Sequence, residues 1–122
     1  MAEKLYRYGE LYWVEFDEET VGTEVRGPRP GIIISDNSYN EISKRVIVLP
    51  CSRTLDPLYS FELFLPQLVK GVNGKVMIDQ IQCIDKERMG KKIRNLTSYE
   101  MNEVVEKLRK ILPLLGVIKA KL

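Results

Sequence analysis

A chain of 122 residues and 14.1 kDa has the size of one compact domain, so residues 1–122 are read as a single unit. Its 44% hydrophobic and 30% charged residues exclude a disordered, collagen-like or membrane-embedded chain, and the lack of any histidine excludes Ser-His, Cys-His and histidine-dependent ribonuclease mechanisms. The net charge of +2 is uneven: residues 1–30 hold four Lys/Arg against seven Asp/Glu and residues 31–122 hold fifteen against ten, a downstream surplus that suits a polyanion and equally an ordinary soluble surface.

No apolar run reaches the roughly 18 residues of a spanning helix. Met1-Ala2-Glu3-Lys4 is not a signal segment, so the chain is expected in the cytoplasm. Leu11-Tyr12-Trp13-Val14-Glu15-Phe16, rich in aromatic and branched residues, predicts a first strand. Asp17-Glu18-Glu19 ends it and reads as a solvated turn rather than a Mg²⁺ site. Gly22, Gly27, Pro28 and Pro30 then mark a loop of about a dozen residues, a length that is often functional. Gly31-Ile32-Ile33-Ile34 and Val46-Ile47-Val48-Leu49 predict central strands buried on both faces, separated by the turn-rich Ser35-Asp36-Asn37-Ser38.

Phe61-Glu62-Leu63-Phe64-Leu65 predicts a weaker strand, and Gly71-Val72-Asn73-Gly74 a tight turn into Lys75-Val76-Met77-Ile78. Val76 and Ile78 sit at even positions but Ile81 and Cys83 at odd ones, so a bend near Asp79-Gln80 is expected to bring both sets to the core. Thr97-Ser98-Tyr99-Glu100 fits a capping box, and Met101, Val104, Val105, Leu108, Ile111 and Leu112 follow at helical spacing up to Pro113. Many short strands followed by one late helix predict a mainly β fold, a small antiparallel barrel with a C-terminal helix. Cys51 and Cys83 are expected to be two buried thiols, and neither a metal site nor a cofactor motif is found.

Chemistry on this frame must come from carboxylates, Arg/Lys or hydroxyls. Glu24 and Arg29 share a glycine- and proline-rich segment, where they either face a substrate or form an ordinary surface ion pair. Ser52 and Arg53 follow a buried strand and offer a hydroxyl and a cation, or merely a local hydrogen bond. Lys86, Arg88, Lys91, Lys92 and Arg94 form a basic ribbon that either binds nucleic acid, with Tyr39 and Tyr59 as candidate base-stacking residues, or is simply solvated.

Gly9-Glu10-Leu11-Tyr12-Trp13-Val14, Gly22-Thr23-Glu24, Arg29-Pro30, Leu49-Pro50-Cys51-Ser52, Asp79-Gln80-Ile81 and the closing helix, in that order across residues 6–115, resemble the MazF/PemK family of toxin endoribonucleases. The resemblance implies an SH3-like barrel, shared with the CcdB proteins, that forms a homodimer. It implies metal-independent, sequence-specific cleavage of single-stranded RNA and neutralisation by a cognate MazE-like antitoxin carrying an acidic extended segment. Arg29 and Ser52 match the family's required arginine and hydroxyl, and Glu24 matches a glutamate that some members use; Arg53, Lys86, Arg88, Lys91 and Lys92 are expected on the RNA. Ser52 and Thr23 stand where many members have threonine and serine, which keeps a hydroxyl at both positions. A same-fold topoisomerase poison and a non-catalytic nucleic-acid-binding barrel are the alternatives, and neither requires Glu24, Arg29 and Ser52 together.

Overall fold

In the computed structural model the described residues are 4–17 and 21–113. Among them seven strands, all antiparallel, form one curled sheet, a half-barrel closed by a C-terminal helix. β1 (Glu10–Phe16) pairs with β2 (Gly27–Ile33) and, on its other side, with β7 (Met89–Asn95). β3 (Arg45–Ser52) lies beside β2, with Gly31 opposite Pro50 and Ile33 opposite Val48. The far side of β3 is shared: its end pairs with β5 (Val72–Val76) and its first half with β6 (Gln82–Asp85), while β4 (Leu63–Val69) completes the β5 edge. The bend expected near Asp79-Gln80 is a 3-10 turn over Ile78–Gln80, where the chain passes from one partner segment of β3 to the next.

The central strands are buried on both faces, as their continuous apolar runs predict. Leu11, Ile32, Leu49 and Cys51 point into a core shared with Met101 and Val104 of α2 (Ser98–Ile111). Tyr12, Val14, Phe16, Ile33, Val46 and Val48 fill the opposite core with Tyr6 and Met89. The helix begins as expected: Thr97 Oγ1 accepts from the Glu100 N–H at 3.1 Å, and Glu100 Oε1 accepts from the Thr97 N–H at 2.8 Å. No helix among the described residues is long and apolar enough to cross a membrane.

Several boundaries differ from the sequence reading. β2 starts at Gly27, so Pro28, Arg29 and Pro30 lie in a strand rather than a loop. Before Gly31 that strand is paired, among the described residues, on the β1 side only, an edge position that tolerates proline. β4 runs to Val69 instead of ending at Leu65, because a register shift around Pro66 and Gln67 (φ 53°) absorbs the irregularity. The tight turn is at Lys70-Gly71, and Gly74 lies within β5. Ile81 and Cys83 are exposed and Ile84 takes the buried position of β6, so the expected change of phase does not occur; Cys83 is not a buried thiol, whereas Cys51 is. The turn-rich stretch holds a short helix, α1 (Asn37–Ile42), capped by Asp36. The basic ribbon contains β7. Glu18 and Glu19 of the acidic run lie outside the described residues.

Candidate active site

The unpaired flank of β2 and the end of β3 leave a cleft of about 590 Å³ between them. Continuing the register of Gly31 opposite Pro50 by two residues brings Arg29 level with Ser52, and both line this cleft with Trp13, Arg26 and Arg53. Arg29 is half-buried; its Nε donates to the Arg26 carbonyl at 3.3 Å, while its terminal nitrogens make no hydrogen bond among the described residues. Ser52 is buried, and its Oγ accepts from the Thr54 N–H at 3.1 Å, which leaves the hydroxyl hydrogen free to donate. Arg53 is exposed without a partner among the described residues. Among the described residues three guanidinium groups and no carboxylate line the cleft, so it favours an anion. Cys51 also borders it, but burial pushes its thiol well above the ordinary range, with Arg94 pulling weakly the other way, so it supplies no thiolate nucleophile.

Glu24 is placed elsewhere. It lines a second hollow, about 480 Å³, with Thr23, Asp79 and Gln80. It is exposed, and its Oε1 accepts from the Val21 N–H at 2.7 Å. Gln80 Oε1 accepts from the Val25 N–H at 2.7 Å and ties this loop to the 3-10 turn. Arg29 and Ser52 therefore share a site, while Glu24 and Arg29 line different hollows and form no ion pair with each other. Among the described residues, no group of three or more Cys, Asp or Glu side chains converges on a metal position.

The basic ribbon mostly fastens the fold. Lys86 Nζ donates to the Asn40 carbonyl, and Arg88 donates to the Glu15 carbonyl at 3.3 Å. Lys92 pairs with Glu10 at 2.8 Å. Burial raises the Glu10 carboxyl, but bonds from Lys92, the Arg7 N–H and Tyr12 outweigh it and hold the group below its usual range. The Tyr12 phenol is pushed up by burial and by that carboxylate. Arg94 grips Glu100 with two 3.0 Å bonds and the Gln67 carbonyl with a third, joining β7, α2 and β4. Lys91 alone in the ribbon is exposed without a partner among the described residues.

Trp13 and Arg26 join the cleft without having been singled out in the sequence. Tyr12, Val14 and Phe16 alternate into one core, which places Trp13 on the other face, 40% exposed; that alternation was a readable signal. Arg26, whose Nη2 donates to the Gly22 carbonyl at 3.1 Å, offered none beyond its charge.

Residues 7–112 match the family described as PemK-like, MazF-like toxin of type II toxin-antitoxin system, and the chain belongs to that family. It is 31% identical over 107 residues to the endoribonuclease PemK of Escherichia coli, covering 85% of this chain and 80% of that protein. It is 26% identical over 112 residues to endoribonuclease MazF9 of Mycobacterium tuberculosis, with 86% and 94% covered. Among solved structures, MazF from Deinococcus radiodurans superposes with a TM-score of 0.79 at 27% identity, covering 91% of this chain and 99% of that one. A MazE-MazF structure from the same organism gives 0.71 at 25% identity, with 90% and 97% covered.

Proposed function

We propose that this chain is an endoribonuclease toxin that cuts single-stranded RNA at short sequences without a metal ion. The observation that carries the reading is the meeting of Arg29 and Ser52 in a cleft whose charged lining, among the described residues, is three arginines, in a chain whose relatives are endoribonucleases. The ribose 2′-oxygen attacks the adjacent phosphorus, the bond from phosphorus to O5′ breaks, and the products are a 2′,3′-cyclic phosphate and a 5′-hydroxyl. Arg29 stabilises the charge that grows on the phosphorane oxygens, and the Ser52 hydroxyl donates to the same group. Arginine holds its proton too tightly at neutral pH to be the acid, so its work is electrostatic. O5′ takes its proton from water, and the hydroxide so formed recovers the proton held by Glu24. Glu24 is the base assigned to the 2′-OH proton; because it lines a hollow of its own, that role requires the segment 24–28 to carry it to the scissile ribose when RNA binds. Arg53 and Lys91 hold flanking phosphates. The working unit is a cytoplasmic homodimer whose second subunit closes the cleft, and an acidic, extended antitoxin segment inhibits by covering the same arginines.

The test is incubation with a long RNA in excess EDTA and mapping of the new 5′ ends. Cutting is expected to persist, to leave 5′-hydroxyl ends, and to fall on the order of 10²- to 10³-fold in Arg29→Ala, as when a preorganised donor to a developing anion is removed. Loss of cleavage in EDTA with recovery in Mg²⁺, or full activity of a folded Arg29→Ala protein, refutes the scheme.

A further inference from the structure

The loop 53–62 leaves the cleft at Arg53 and rejoins the sheet at Leu63, and it carries two aromatic rings that no core claims. Tyr59 and Phe61 stack with centroids 5.2 Å apart and planes 4° from parallel, although they are 52% and 38% exposed. They are held from beneath by a buried ion pair, Lys75 Nζ to Glu62 Oε1 at 2.8 Å. The same carboxylate oxygen accepts from the Tyr59 N–H at 3.0 Å. The ammonium also donates to the Pro57 carbonyl at 2.7 Å and lies 5.9 Å from the Tyr59 ring centre. Three points of the loop are thus anchored through one charge pair, which fixes the backbone on which the two exposed rings stack.

The position of this stack is set by the sheet. Lys75 is the cross-strand partner of Ser52, and such partners present their side chains to the same face. The stack therefore stands one lysine side chain away from the hydroxyl that lines the cleft. A flat, preorganised aromatic pair beside a cationic groove is the combination that binds unpaired nucleobases: the groove takes the phosphates and the rings take the base.

We propose that Tyr59 and Phe61 form a base-stacking subsite for single-stranded RNA, separated from the Arg29–Ser52 cleft by Lys75, the cross-strand partner of Ser52, and that Lys75 and Glu62 are its positioning residues. The proposal rests on the RNA-cleaving reading above and adds to it where a neighbouring nucleotide sits. Stacking is tolerant of base identity, so the subsite supplies affinity and register rather than choice of base.

The experiment uses a labelled RNA oligonucleotide carrying the mapped cleavage sequence and a series of the same oligonucleotide with one abasic nucleotide at each position. Wild type is expected to show a position outside the scissile pair where base removal weakens binding roughly 5- to 150-fold, the span of one base–aromatic stack. In Tyr59→Leu/Phe61→Leu that sensitivity should vanish and the loss should fall on KM more than on kcat. Should the double variant fail to fold, 2-aminopurine at the sensitive position reports on the wild type directly, its fluorescence quenched on binding if it stacks. Sensitivity that survives in a folded double variant, no sensitive position, unquenched 2-aminopurine, or a change of oligomeric state on sedimentation that marks the rings as a subunit contact would each overturn the subsite. If wild-type protein cleaves and depends on Arg29 but gives one of those results, the subsite alone falls. If wild type neither binds nor cuts RNA, both readings fall.

Discussion

Removing one member of the buried Lys75–Glu62 pair should cost far more stability than removing both. Their side chains are 7% and 6% exposed, and the 2.8 Å contact is the buried ion pair among the described residues. Lys75→Met keeps the length of the side chain but leaves the Glu62 carboxylate buried, with the Tyr59 N–H as its remaining partner in this network, and takes the ammonium from the Pro57 carbonyl. Such an orphaned charge costs about 3–5 kcal/mol, a large fraction of a domain's net stability of roughly 5–15 kcal/mol. Lys75→Met/Glu62→Leu has no charge to strand, and the Tyr59 N–H and Pro57 carbonyl belong to exposed residues that water can reach. Its stability should return to within about 1 kcal/mol of wild type, or exceed it. Urea unfolding of the four proteins closes the double-mutant cycle. A Lys75→Met cost below about 1 kcal/mol, the value of an exposed pair, or two costs that simply add in the double variant, would refute the claim that the pair acts as a buried unit.

Gly74 should be intolerant of even one methyl group: a Cβ there would lie 2.4 Å from Leu68 Cδ2 and 2.6 Å from the Ser52 carbonyl oxygen, and a backbone oxygen cannot rotate away. Gly74→Ala is expected to lose about 1–3 kcal/mol in urea unfolding and to slow RNA cleavage by displacing Ser52; a folded variant of unchanged stability and rate would contradict this. Glu100 is held below its ordinary value chiefly by the Arg94 hydrogen bonds, against a smaller upward push from burial and with further help from the Thr97 N–H. A depressed carboxyl stabilises the fold above its unfolded value and loses that contribution as pH falls through its folded value, so the stability gap between wild type and Glu100→Gln should be full above the ordinary carboxylate value of 4.5 and close as pH falls below it; a gap independent of pH would argue against it.

Elements with a strong local composition or cap are readable from sequence: β1 from its aromatic and branched residues, β3 from its branched run, and α2 from the reciprocal Thr97–Glu100 cap. The elements missed are those whose stability comes from neighbours. β7 reads as a charged ribbon because it is paired on one side, to β1, and carries its lysines outward. Pro28 and Pro30 hide the start of β2 because proline argues against a strand until the missing pairing partner on that flank is known. α1 spans six residues, too few to show a period, and depends on the buried Asn40, which bonds Ser35 and receives Lys86. Arg29 and Ser52 were legible as residue types following identifiable segments, and the ladder register that unites them extends the pairing of Gly31 with Pro50. The separation of Glu24 was not legible, since it follows from the bond between Gln80 and Val25 across 55 residues.

The tying-down of the basic ribbon also bears on how RNA must be held. Were all five ribbon cations to engage phosphates with Arg26, Arg29 and Arg53, eight counterions would be released, and for single strands log K would fall with log salt at a slope near about −6. Lys86 and Arg88 instead brace backbone carbonyls, while Lys92 and Arg94 are paired with carboxylates; turning them to RNA means breaking contacts that hold β7, α1 and α2 in place. The three cleft arginines and Lys91 remain, which sets the expected slope at about −2 to −3. Binding of the mapped RNA by Glu24→Gln across a salt series measures it. Lys91→Ala should shallow the slope by about 0.7, whereas Lys92→Ala should lower stability and leave the slope unchanged. A slope steeper than about −5 would mean that the ribbon abandons its carboxylates for RNA. A shallow slope with tight binding requires affinity that salt does not screen, which on this surface must come from aromatic and apolar contacts such as Trp13 and the Tyr59–Phe61 stack.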